Sequence, residues 1–155
     1  MILVMIVKDT SNLLTTNEWS AGEYENIRPL QIFNTIAILT KTYSSIGEQS
    51  VRLTKNASSG SYSRITYNQS ILNKTITASA HIRTCESTAQ LLLLEIDTNN
   101  NMLQNRNITI PSNSHGNFSI SLDSGSADNK FIIQFSNLGV IGDNIFVDDI
   151  CLTVI

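Results

Sequence analysis

The feature that most constrains this chain is a period-two alternation of apolar and polar residues, repeated in eight separate stretches. Segments 36–43, 49–53, 61–67, 76–84, 90–97, 118–122, 131–136 and 145–153 are each rich in β-branched, aromatic or other apolar residues. Alternation of this kind sends successive side chains to opposite faces of a half-buried strand. The breaks at 56–60, 99–101, 111–114, 123–125 and 142–144 are built from Asn, Ser, Gly, Asp and Pro, the residues that close turns. No long amphipathic helix competes with this pattern, although 25–33 has room for a short helical turn. Eight or more short strands without intervening helices predict an all-β fold, a sandwich or a barrel. At 155 residues, with no internal repeat or low-complexity linker, residues 1–155 form one domain with a core large enough to need no staple.

Composition narrows the function classes. Thirteen acidic against ten basic residues give a net charge of -3, which leaves no basic footprint for nucleic acid. Only 15% of residues are charged, so the polar surface is built from Ser, Thr and Asn. Such a surface suits uncharged, hydroxyl-rich partners. The apolar opening at residues 1–7 is too short to insert in a membrane and lacks the basic start of a signal peptide; it reads as a first strand or the edge of a domain. Cys85 and Cys151 allow one disulfide or two free thiols, and no Cys/His spacing suggests zinc. Five glycosylation sequons, at Asn56, Asn68, Asn73, Asn107 and Asn117, are no more than so many Asn, Ser and Thr produce by chance.

Catalysis finds little support. Asp148 and Asp149 are paired carboxylates, but neighbours on one strand point to opposite faces and cannot flank one glycosidic bond. His81 and His115 have no nucleophile-elbow serine, and no glycine loop is suited to cradle phosphate.

Two constellations remain. Strict alternation along 145–154 groups Phe146, Asp148, Ile150, Leu152 and Val154 on one apolar face, leaving Asp148 as an acid on an expected core face. A buried carboxylate must be hydrogen-bonded, paired or bound to a cation; backbone N–H groups or a hard, oxygen-ligated cation such as calcium both meet that need. The second constellation is polar. The same alternation turns Tyr62 and Arg64, His81 and Arg83, Glu95, and Gln134 away from the core, with Leu92, Leu94 and Ile96 inward. If these strands share one sheet, its outer face carries an aromatic ring with charged and amide groups, which suits a sugar's C–H face and hydroxyls. An ordinary solvated face with Arg–Glu pairing is the alternative. Trp19, the only tryptophan, is either a stacking platform at the rim or a plug at the end of the core.

The ending Ile145-Phe-Val-Asp-Asp-Ile-Cys-Leu152 resembles the terminal strand of the xylan- and β-glucan-binding jelly-roll carbohydrate-binding modules, which are galactose-binding-domain-like sandwiches. Asn12-Leu-Leu14 with Trp19 and Gly22, Gly47-Glu-Gln-Ser-Val-Arg-Leu53 and Lys74-Thr-Ile-Thr-Ala-Ser-Ala-His-Ile-Arg83 resemble further segments of that family, in order. The resemblance implies a jelly roll of two antiparallel sheets and non-catalytic, lectin-like binding of a polysaccharide or glycan. It also implies an extracellular or cell-surface setting beside other domains of a larger protein. It implies as well a structural calcium ion held by Asp148 and an early acid, for which Glu18 is nearest. The order Glu18-Trp19 reverses the family's aromatic-then-acid pattern, with Asp9 and Glu23 as substitutes. The rival to sugar binding is the same sandwich as a structural or adhesive spacer.

Overall fold

A computed structural model describes residues 30–41, 43 and 50–155. Ten strands form two five-stranded antiparallel sheets: β1 (Gln31–Phe33), β2 (Thr35–Thr40), β3 (Ser50–Lys55), β4 (Tyr62–Tyr67), β5 (Thr75–Thr84), β6 (Ala89–Asp97), β7 (Met102–Ile110), β8 (His115–Asp123), β9 (Asn129–Asn137) and β10 (Asn144–Val154). One sheet has the order β1-β4-β9-β6-β7 and the other β2-β3-β10-β5-β8. The fold is therefore all-β, as the alternation predicts, and of its two alternatives a sandwich rather than a barrel, with consecutive strands repeatedly crossing between sheets.

Between the sheets lies a single apolar layer. β5 contributes Ile76, Ala78, Ala80 and Ile82, β9 contributes Phe131, Ile133 and Phe135, and β6 contributes Leu91 and Leu93. Each large side chain buried here contributes roughly 1.5–3 kcal/mol. Turn chemistry is local and explicit. Asp97 accepts N–H bonds from Asn99 and Asn101, both at 2.8 Å, while Asn100 takes the left-handed conformation at φ 66°.

Three expectations are corrected. First, 25–33 was given room for a helical turn, but its described end, Gln31–Phe33, is edge strand β1 pairing with β4. Second, β6 has the opposite parity: Leu91, Leu93 and Glu95 point inward, whereas Leu92 and Leu94 face out. A run of four leucines satisfies either parity, so only the tertiary surroundings choose. Third, Asp148 does not lie on the core face. Between Asp148↔His81 and Cys151↔Ser79, β10 carries one more residue than β5, a β-bulge with Asp149 at φ 49°. The bulge lets Ile145 and Val147 before it, and Ile150 and Leu152 after it, all face inward. Phe146 and Asp148 are therefore on the outer face, beside Arg83 and His81.

β7 escaped the periodicity reading. Its outward residues Asn105, Asn107 and Thr109 are polar, and its inward positions become apolar only at Ile108 and Ile110. The two cysteines are free. Cys151 pairs opposite Ser79, six residues along β5 from Cys85, which at about 3.3 Å per residue separates them by roughly 20 Å. Residues 1–7, Asp9, Glu18, Trp19 and Glu23 lie outside the described residues.

Candidate functional site

The sequence-predicted cluster divides between the two sheets. Tyr62 and Arg64 on β4 and Gln134 on β9 share the outer face of the β1-β4-β9-β6-β7 sheet, where Arg64 stands opposite Gln134 and Tyr62 opposite Ser136. His81 and Arg83 on β5 belong to the outer face of the other sheet. There His81 Nδ1 and Asn117 Oδ1 are 3.1 Å apart, and the Arg83 guanidinium lies 3.7 Å from the centroid of the Tyr43 ring. Tyr43 in turn meets Phe146 edge-on, so this face holds a closed aromatic–cation cluster.

Glu95 belongs to neither face: it is only 1% exposed. Its Oε1 accepts from Asn129 Nδ2 at 2.6 Å and from the Gly125 N–H at 3.0 Å, and its Oε2 accepts from Gln104 Nε2 at 2.5 Å. Asn129 also brackets the Ile71 backbone, accepting its N–H and donating to its carbonyl. The acid thus ties β6 and β7 to the β4–β5 and β8–β9 loops. This role was hidden from sequence because two of the three donors, Asn129 and Gly125, are remote in the chain.

Asp148 is likewise 1% exposed, and its Oδ1 accepts the N–H of Asp149 at 2.8 Å. That bond holds the backbone at the bulge. Among the described residues, no group of three His, Cys, Asp or Glu gathers in a way that could hold a metal. Glu18, the early acid that the resemblance pairs with Asp148, lies outside the described residues.

On the outer face of the first sheet, the side chains fall in cross-strand rows. Phe33, Tyr62, Ser136, Gln90 and Thr109 form one row, and Gln31, Arg64, Gln134, Leu92 and Asn107 the next. Thr66, Ile132, Leu94 and Asn105 form a third, followed by Lys130, Ile96 and Met102. Phe33 and Tyr62 stack at 4.6 Å between centroids, and the Arg64 guanidinium lies 4.6 Å from the Phe33 centroid and 5.1 Å from that of Tyr62. Arg64 Nη2 also donates to the Tyr62 hydroxyl at 3.2 Å.

Beside this cluster is an open depression of about 380 Å³. Leu94, Ile96 and Ile132 form its floor, and Gln31, Arg64, Thr66, Asn68, Asn100, Met102 and Lys130 surround them. Leu94 and Ile96 were expected in the core, so the outward leucine–isoleucine stripe is the part of the site that sequence parity missed. Phe33 was missed because β1 is only three residues long. An apolar floor ringed by amides, hydroxyls and cations can cover the C–H face of a sugar ring while hydrogen-bonding its hydroxyls.

The sandwich has clear counterparts among solved structures. It superposes on the CBM22-1 xylan-binding domain of Paenibacillus barcinonensis Xyn10C with a TM-score of 0.68 at 9% identity, covering 87% of this chain and 91% of that one. The chain has the jelly-roll fold of carbohydrate-binding modules. The TmCBM61 module, solved with β-1,4-galactotriose, matches with a TM-score of 0.62 at 15% identity over 91% of this chain and 97% of that one. The enzymatically active domain of tailspike protein 4 from bacteriophage CBA120 gives a TM-score of 0.75 at 13% identity. That match covers 94% of this chain but 22% of the tailspike chain. No family model and no curated protein matches the sequence.

Proposed function

We propose that this chain is a non-catalytic glycan-binding module that holds a polysaccharide on the outer face of the β1-β4-β9-β6-β7 sheet. The observation that carries this reading is the depression over Leu94, Ile96 and Ile132, bordered by Arg64 and Lys130 and continuing toward Gln134 and Tyr62. Carbohydrate-binding modules that match along nearly their whole length support it. The stacked Phe33–Tyr62 pair already spends ring surface on itself and on Arg64, so binding is modest and led by hydrogen bonds. Matches to short portions of longer chains support an accessory role beside other domains of a larger glycan-processing or surface protein, outside the cell. A structural calcium ion at Asp148 belongs to the same reading and rests on the family resemblance and on the burial of that acid.

Affinity electrophoresis against a panel of neutral and acidic polysaccharides tests the binding reading. Retardation is expected in the wild type and should weaken in Tyr62→Ala and Gln134→Ala while surviving His81→Ala on the opposite sheet. Loss of binding in His81→Ala or Arg83→Ala alone would move the site to the β2-β3-β10-β5-β8 face. No retardation by any polysaccharide, with the fold intact, would leave the sandwich as a structural or adhesive spacer.

A further inference from the structure

The charge around the depression is one-sided. The protein as a whole is acidic, with a net charge of -3, yet the described residues lining this groove include Arg64 and Lys130 and, among them, no Asp or Glu. The remaining polar groups on its rim, Gln31, Asn68 and Asn100, are neutral amides that can donate. The two acids nearest by strand position are both committed elsewhere. Glu95, between Leu94 and Ile96, accepts from Asn129, Gly125 and Gln104. Asp97 is held in its own turn, accepting from the Asn99 and Asn101 backbones and from Asn101 Nδ2. Arg64 donates one N–H to the Tyr62 hydroxyl, and its buried Nε has no hydrogen-bond partner among the described residues. Among the described residues its guanidinium is therefore held by the Phe33 and Tyr62 rings rather than paired with a carboxylate.

The two cations lie at different places along the groove. Arg64 stands opposite Gln134, and Lys130 lies four residues farther along β9, a separation of about 13 Å along the strand direction. That spacing, with an apolar floor between, suits an extended chain bearing charge on more than one unit. A neutral glycan would leave two partly desolvated cations without counter-charges, whereas an anionic one pairs them through charge-assisted bonds. We infer that the groove takes an anionic saccharide, a glycan whose units carry carboxylate or sulfate groups received by Arg64 and Lys130. This inference rests on the glycan-binding reading above and deepens it.

The test uses the full chain in affinity electrophoresis and calorimetry against polygalacturonate, dextran sulfate and neutral xylan, at low salt and at about 0.5 M salt, where surface charges are strongly screened. Polygalacturonate or dextran sulfate should bind more tightly than xylan, and the advantage should shrink in high salt. Which of the two binds more tightly distinguishes carboxylate from sulfate as the preferred group. Lys130→Gln and Arg64→Gln should each weaken the anionic ligand about tenfold, the value of one charged hydrogen bond. Arg83→Gln, on the opposite sheet, should leave binding unchanged. Xylan bound as tightly as the polyanions, insensitive to salt and to Lys130→Gln, would overturn the anionic inference and leave glycan binding standing. Loss of polyanion binding only in Arg83→Gln would overturn it by placing the site elsewhere. Failure to bind any of the three would overturn both.

Discussion

Replacing Glu95 by Gln removes one oxygen's acceptor capacity at a buried position without changing side-chain volume. The retained carbonyl oxygen can still accept from Asn129 Nδ2 and the Gly125 N–H, which both address Oε1. The new amide nitrogen then faces Gln104 Nε2, which now donates to Oε2 at 2.5 Å, so two donors meet. Rotating the Gln104 amide by half a turn relieves that conflict, but the same Nε2 also donates to the Asp123 carbonyl at 2.6 Å. Either arrangement loses at least one hydrogen bond at a site where Glu95 is 1% exposed. A lost bond to a charged group with a partner left unsatisfied costs about 1–3 kcal/mol, or roughly 3–10 °C in Tm for a domain of this size. The assay is urea and thermal unfolding of wild type, Glu95→Gln, Gln104→Ala and the double variant. Because the donor–donor conflict vanishes without Gln104, the cost of Glu95→Gln should fall in the Gln104→Ala background. An outward-facing glutamate, as β6 parity alone suggests, would give almost no change. A cost below about 0.5 kcal/mol, typical of surface substitutions, or an equal cost in both backgrounds, refutes the proposed network.

Gly139→Ala should destabilise by about 1–3 kcal/mol or more, because a Cβ there would overlap the Asp143 carboxylate and the Ser87 Cβ; a wild-type unfolding midpoint would contradict this. Asp97 is held below the ordinary aspartate range, chiefly by the Asn101 side-chain amide and then by the backbone N–H groups of Asn101 and Asn99, against some desolvation. Its contribution is therefore fully present above the unfolded aspartate value near 3.9 and lost as pH falls through the lower folded value. Asp97→Asn should flatten that part of the stability–pH curve, and identical curves for both proteins would count against the turn's role. If calcium binds through Asp148, a chelator lowers the Tm of the wild type but not of Asp148→Asn; a wild-type melt insensitive to chelator rejects the ion.

Local pattern alone determined the all-β class and the turns. It also set the inward parity of β5, which alternates apolar with polar residues at period two, and of Ile65 with Tyr67 on β4 and Phe131, Ile133 and Phe135 on β9, the outward Ile132 being the exception there. Where a strand offered apolar residues at both parities, as at Leu91–Leu94, or an unbroken polar run, as at Gln104–Asn107 in β7, the pattern carried no information. Tertiary structure decided these cases, because a strand's inward face depends on its neighbours' registers and on donors distant in sequence, such as Asn129 and Gly125 for Glu95. Strand order was invisible for the same reason: β4 and β5 are consecutive in the chain yet lie in opposite sheets, which parts Tyr62 and Arg64 from His81 and Arg83. Asp148 was correctly singled out as a buried acid, but its face was reversed by one extra residue in β10, a bulge that strict periodicity cannot anticipate. The sequence by itself thus determined eight of the ten strands and most of the core; only the folded sandwich added β1 and β7 and decided which side chains meet across strands, and so where a binding surface exists.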